Sequence, residues 1–393
     1  VIPKGFRFAG TRCGLKSKRN DVGLILSDLP TCSAGLFTQN LVHAACVDYT
    51  REVVAGGRMQ AVVVNSGNAN CCTGAQGERD TRRAAELAAE CLGLDPKDIG
   101  VASTGVIGHL LDMGKLERGV LDASQKLAHD PKPFMEAILT TDLVEKWARW
   151  EGGDLASPKL PAEVGSGPCV YGVCKGSGMI APNMATMLAF VVTDFDVTGI
   201  DIQASLRSAA AKSFNCTTVD SDTSTNDMVL LLANGASGVR PSAAEFQDAI
   251  DAVCVSLAQQ IARDGEGASK LVEVRVTGTS DPSRVARTIG DSPLVKTAMF
   301  GCDPNWGRIL AAAGRAGVSF HPGSARLVLE AAGESFTLYE DGGPAAFDPK
   351  RVSSALKSDH VVIDLQLGEG ETAIVYTCDF GYGYVRINAE YHT

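Results

Sequence analysis

The sequence has no excess of positive charge. Its 393 residues carry 36 Lys and Arg against 46 Asp and Glu, a formal net charge of −10. That argues against nucleic acid as the main partner, because phosphate binding needs a basic surface. No apolar run approaches the ~20 residues of a membrane-spanning helix, so no membrane partner is expected. Val1-Ile2-Pro3-Lys4-Gly5 shows no signal-peptide pattern, and a cytoplasmic setting is expected. The 12 cysteines include no C-x-x-C pair and no Cys/His ligand spacing, which argues against a structural zinc site. Reduced, mostly buried thiols are the expectation. The 6 histidines form no H-x-x-x-H pair, and no metal is expected. Asp220, Asp222 and Asp227 crowd one turn, but the glycine that a calcium loop needs at its sixth position is missing. There is no repeat of the solenoid kind.

What is present describes an ordinary globular chain, with 45% hydrophobic and 21% charged residues. The length allows two domains or one large two-sheet body. The runs 22–26 and 61–64 read as buried strands, and 61–64 ends in the Asn/Ser/Gly turn Asn65-Ser66-Gly67-Asn68-Ala69-Asn70. An amphipathic helix over 78–92 stops at Gly93. Further helical stretches cover 115–127 and 134–139, and residues 150–168 read as a surface loop or hairpin. The second half starts a fresh αβ unit: a helix over 201–214, a strand over 228–233, and a long helix from the capping box Ser242-Ala243-Ala244-Glu245 to Arg263. Strands follow at 271–277, 326–329, 361–367 and 373–378. The tail contains a Val-x-Ile run, which reads as a strand that ties the end down.

One stretch organises the rest. Lys175-Gly176-Ser177-Gly178-Met179-Ile180-Ala181-Pro182-Asn183-Met184-Ala185-Thr186-Met187-Leu188 begins with a cation and glycines, turns at Pro182, and enters the apolar run 188–192, a buried strand. Thr186 stands at the mouth of that strand. Taken alone, a Thr there is a common structural residue. A Thr hydroxyl becomes a nucleophile when a base takes its proton, and one such base is the residue's own α-amine. That amine exists only if the chain is cut between Ala185 and Thr186.

Several further motifs accompany this stretch in one order along the chain. They are Val63-Val64-Asn65-Ser66-Gly67-Asn68-Ala69-Asn70, Ser103-Thr104-Gly105-Val106-Ile107-Gly108, Thr140-Thr141-Asp142, Asp222-Thr223-Ser224-Thr225-Asn226-Asp227, Glu266-Gly267-Ala268-Ser269-Lys270, Asp303-Pro304-Asn305-Trp306-Gly307-Arg308 and the tail from Asn388 to Thr393. Together they resemble the ornithine acetyltransferase family, also called glutamate N-acetyltransferase, from Gly5 to Thr393. Two departures stand out. Position 269 is Ser where the family has Thr, and the segment between Thr141 and Lys175 is long and carries Trp147 and Trp150.

The resemblance implies an α/β fold of two stacked sheets flanked by helices, N-terminal-nucleophile-like. It implies self-cleavage between Ala185 and Thr186 into an α chain (1–185) and a β chain (186–393) that stay associated, as a heterotetramer. Thr186 would be the nucleophile and Thr104 with Gly105 the oxyanion hole. Thr140, Lys175, Thr186, Glu266, Asn388 and Thr393 would line the substrate site. Thr141 is the alternative to Thr140, since adjacent strand residues face opposite ways. Without the family, Thr104-Gly105 reads as a tight turn and Glu266 as a solvated acid after a helix. The implied reaction moves acetyl from N2-acetylornithine to glutamate by double displacement, in arginine biosynthesis. No cofactor is needed, because an ester on Thr186 stores the group. Some members also take acetyl-CoA as donor. The rival readings are a self-cleaving amidohydrolase or aminopeptidase that does not need the acceptor, and a non-enzymatic scaffold.

Overall fold

The structure is a computed structural model, and it describes residues 2–158, 167–181 and 187–390. Ala185, Thr186 and Thr393 lie outside the described residues. Three sheets are present among the described residues. The first has four strands in the order Phe6–Thr11, Val22–Ser27, Ala61–Asn68, Ile99–Val106. Its pairs are antiparallel except the last, which is parallel. The second has six strands in the order Cys32–Phe37, Met228–Ala233, Leu188–Thr193, Val170–Lys175, Lys146–Glu151, Asp154–Ala156. Met228–Ala233 and Leu188–Thr193 run parallel; the other pairs are antiparallel.

These two sheets stack. Ile25, Val62 and Val64 face the gap, where they meet Val173, Phe190 and Leu230. Their chain neighbours Leu24, Leu26, Ala61 and Val63 face the opposite way, into a core shared with the helices Ala45–Ala55, Gly74–Leu92 and Met113–Ser124. Both faces are therefore dry, and that explains why these strands read as unbroken apolar runs. Phe134, on the short helix Lys132–Ile138, closes the gap by edge-on contacts with Phe8 at 5.8 Å and Phe190 at 5.4 Å. The helices Ile202–Lys212 and Ala243–Arg263 cover the outer face of the second sheet. The expected pair of stacked sheets between helix layers is thus present.

The third sheet adds to that expectation. Its order is Gly343–Pro344, Glu334–Glu340, Arg326–Ala331, His360–Gln366, Leu271–Thr277, Thr372–Cys378. One face packs Val272, Val274, Val276, Ile363 and Leu365 against helices that include Pro282–Gly290 and Trp306–Gly314. Leu271, Tyr376 and Cys378 belong instead to the core of the second sheet, so this unit is docked by its edge strand Thr372–Cys378 and the start of the neighbouring strand Leu271–Thr277.

Local signals set the helix ends. Ser242 accepts from the Glu245 amide at 3.1 Å, Asp201 accepts from Ala204 at 2.9 Å, and Gly93 ends its helix at φ 70. The hairpin expected in 150–168 is formed by Lys146–Glu151 and Asp154–Ala156; positions 159–166 lie outside the described residues. The tail is a correction. Residues Tyr382–Glu390 form a helix, not a strand. Gly383 abuts Gly267 so closely that a Cβ on Gly267 would sit 2.2 Å from the Tyr384 amide nitrogen, which pins the segment against the Glu266 loop and not along a strand. A helix satisfies its own backbone there.

Candidate active site

Lys175 ends one central strand exactly opposite Leu188, which begins the next. This is the end of the second sheet from which Met187 emerges. The Met187 amide donates to Asp227 Oδ1 at 3.0 Å, and its carbonyl accepts from the Met228 amide at 3.0 Å. Beside that sheet end lies a cavity of about 130 Å³. Thr104, Gly105, Thr140, Lys175, Glu266 and Asn388 all line it. Six positions singled out from the sequence, drawn from five separate segments, thus converge on one space.

Thr104 and Gly105 close the parallel ladder Ala61–Asn68/Ile99–Val106, where the register shifts around Gly67 and Asn68. Gly105 sits at φ +132, and a Cβ there would lie 2.4 Å from the Gly67 carbonyl carbon. Only glycine fits this approach, because the side-chain-free backbone alone tolerates both the dihedral and the contact. Asn226 ties this wall to the turn after Asp222. Its amide donates to the Ala69 and Ser103 carbonyls, each at 2.8 Å, and its oxygen accepts from Thr225 at 2.6 Å.

The cavity carries two opposite charges. Lys175 is buried, with its ammonium 3.5 Å from the Thr104 hydroxyl. No carboxylate among the described residues lies within ion-pair distance of it. Glu266 is also buried and accepts from Asn388 Nδ2 at 2.8 Å. Gly178 makes room for it, since a Cβ there would stand 2.4 Å from the Glu266 carboxyl carbon. A cation and an anion facing one small space suit a ligand with both a carboxylate and an ammonium group.

Beneath Lys175 lies a network that the sequence reading missed. Lys146 is fully buried and bonds Asp142 Oδ1 at 2.8 Å and Asp264 Oδ2 at 2.5 Å. Asp142 Oδ1 also accepts the Gly176 amide at 2.7 Å, and Oδ2 accepts the Thr140 amide at 3.0 Å. The same carboxylate therefore fixes the backbone on both sides of the cavity. Burial works against charge on Asp142, but the Lys146 and Lys175 ammoniums overcome it and hold the carboxyl well below the usual carboxylate range. Burial pushes Asp264 up, against the pull of Lys146. Lys146 itself is held up by its two carboxylates, in spite of burial. Lys16 ties the end of the helix Lys132–Ile138 to this wall, donating to Leu139 O at 2.7 Å, and burial pushes its ammonium down to about 8.

Thr140 and Thr141 resolve differently from the strand argument. They lie in a bend, and both line the cavity, because side-chain alternation applies only to extended strands. Ser224, Thr225 and Asn226 also line it; their motif was visible in the sequence, but the side of the turn that faces inward was not. All 12 cysteines are free thiols, six of them buried and two, Cys32 and Cys72, exposed. No helix among the described residues is long and apolar enough to cross a membrane.

Fold and site together define a layered α/β protein with a small, dipolar, hydroxyl-rich cavity at the end of its central sheet. The ArgJ family model matches residues 7–393, and the chain belongs to that family. It is 46% identical to the arginine biosynthesis bifunctional protein ArgJ of Symbiobacterium thermophilum, over 100% of this chain and 98% of the relative. The protein of the same name from Thermus thermophilus is 45% identical, over 100% of this chain and 99% of that one. Among solved structures, ornithine acetyltransferase complexed with ornithine, from Mycobacterium tuberculosis, is 35% identical with a TM-score of 0.41, covering 46% of this chain and 93% of that chain.

Proposed function

We propose that this chain is a glutamate N-acetyltransferase of arginine biosynthesis, moving acetyl from N2-acetylornithine to glutamate through an acetyl ester on Thr186. The observation that carries the reading is the cavity with Lys175 and Glu266 on its walls, beside the strand that Met187 enters. Membership of the ArgJ family supports the reaction class. Lys175 would take the substrate carboxylate and Glu266 the side-chain ammonium of ornithine, with Asn388 orienting Glu266.

Maturation comes first in this scheme. The Thr186 hydroxyl attacks the Ala185 carbonyl, the acyl group passes from nitrogen to oxygen, and water hydrolyses the ester. The α chain (1–185) and β chain (186–393) stay together, and we infer a heterotetramer of the two. The freed α-amine has an ordinary pKa of ~7.7–8.0, which suits a base working near neutrality. It takes the proton from the Thr186 hydroxyl as the oxygen attacks the acetyl carbonyl. Thr104 and Gly105 stabilise the oxyanion, ornithine leaves with the amine proton, and the glutamate amine then attacks the ester. A cavity of about 130 Å³ suits a small amino-acid derivative. With acetyl-CoA as donor, the carrier would have to stay outside it. Thr393 would complete the substrate site, and the setting would be cytoplasmic.

Mass spectrometry with a donor-only quench tests the reading. Wild-type protein should show two chains, with the acetyl on residue 186. Thr186→Ala should give a single uncut chain with no turnover; normal turnover in that variant refutes the scheme. Ornithine release that continues past one equivalent per site without glutamate would instead favour the hydrolase.

A further inference from the structure

A second, wider cleft lies away from the acetyl-transfer cavity, between the helix Ile202–Lys212, the helix Pro282–Gly290 and the strand Thr372–Cys378. Its volume is about 820 Å³. Three cations line it, Lys212, Arg284 and Arg287, against one carboxylate, Asp291. Lys212 is engaged with Asp251 at 2.5 Å. The two arginines are not balanced in this way: among the described residues neither has an ion-pair partner within 4 Å.

Arg287 is the informative one. Its Nη2 donates to the Asn215 carbonyl at 2.6 Å, while its Nη1 is buried without a hydrogen-bond partner. A guanidinium presents its donors as a planar fork, and one half of this fork is unused. Asp291, the nearby acid, is turned to Thr218, whose hydroxyl donates to it at 2.5 Å. Burial pushes the Arg287 guanidinium down from its usual value, against the pull of Asp291 and Cys216. Arg287 is half-buried, and it lines the open cleft beside Arg284; an oxyanion held between these two guanidiniums would supply the negative charge that neither has, by charge-assisted bonds.

We propose that this cleft binds a small oxyanion-bearing ligand, a phosphate or a carboxylate, with Arg287 as the half-buried anchor and Arg284 at the mouth. The cleft also borders the wall of the acetyl-transfer cavity. Thr218, which holds Asp291, is within 3.3 Å of the Ile180 carbonyl. Asp220 accepts the amides of Met179 and Ile180 at 2.7 and 2.8 Å. Met179 lines the acetyl-transfer cavity, so an anion at Arg287 would sit behind one of its walls. The site does not depend on the acetyl-transfer reading and would stand if that reading failed.

Calorimetric titration of the full chain with inorganic phosphate, and separately with malonate, tests the proposal. At least one should bind in the millimolar range or tighter, and the stronger of the two names the ligand class. Arg287→Met should weaken that binding by roughly tenfold or more, the loss of one charge-assisted bond. Arg284→Ala, at an exposed position, should also weaken it and guards against a folding defect in the first variant. Failure of both probes to bind wild-type protein overturns the proposal. So does binding that survives unchanged in both variants, because the anion would then sit elsewhere.

Discussion

Replacing Lys146 by Met removes a cation on which two buried carboxylates depend. The side chains of Lys146 and Asp142 are 0% exposed and that of Asp264 is 6% exposed. Methionine keeps the volume and the flexible stem but leaves two acids facing each other in a dry site. Breaking a buried pair in this way costs about 3–5 kcal/mol. The pH dependence follows from the directions of the shifts. In the wild type, Asp142 is held below its unfolded value of ~3.9, so its contribution is fully present above that value and is lost as pH falls through the folded one. Without Lys146 the folded values of both acids rise. Asp264, already raised by burial, takes up a proton first. The penalty is then greatest where both acids must be charged and shrinks as acid protonates one of them. Urea unfolding of the two proteins, followed at roughly pH 8 and pH 5, reads this directly. The stability gap should be several kcal/mol at the higher pH and narrow by about 1 kcal/mol or more at the lower. A gap that stays below about 1 kcal/mol throughout, or that widens in acid, would refute the charge assignment.

Two further changes address the cavity. Glu266→Gln should raise the KM for N2-acetylornithine by roughly tenfold, with little change for glutamate, whose side chain carries no ammonium; equal shifts in both KM values would count against the assigned partner. Gly105→Ala forces a Cβ to within 2.4 Å of the Gly67 carbonyl carbon at a dihedral that suits glycine. It should cut kcat by ~10²–10³ if this corner stabilises the oxyanion, while circular dichroism stays native; an unchanged kcat in a folded variant would move the oxyanion hole elsewhere.

The legible parts of the chain were those where local chemistry and global packing agree. The strands Val22–Ser27, Leu188–Thr193 and Met228–Ala233 are buried on both faces, so their composition alone announces them. Asp201, Ser242 and Gly93 mark helix ends by bonds or dihedrals that need no tertiary partner. The tail misled because Val385, at 62% exposure, packs on no sheet face, and β propensity is a statement about neighbours. Lys146 was illegible for a related reason. A lysine at the start of Lys146–Glu151 reads as a wet strand face, and its burial is made tolerable by Asp142 together with Asp264, the second more than a hundred residues away.

The grouping of strands into a third sheet was illegible too, since nothing in 271–277 says that its partners are His360–Gln366 and Thr372–Cys378. That grouping matters for the chemistry. The segment from Asp264 to Lys270 joins the long helix Ala243–Arg263 to the third sheet, and Glu266 sits on it. Ser177 and Glu266 are bonded backbone to backbone at 2.9 Å, and the Ser177 hydroxyl donates to the Asp264 carbonyl at 2.8 Å. The anion of the cavity is thus carried by the link to the third sheet, and its cation by the second. Their separation, which decides which amino acid fits between them, depends on how the third sheet docks. Substitutions at that docking edge, around Tyr376 and Cys378, should therefore change substrate preference without touching the cavity.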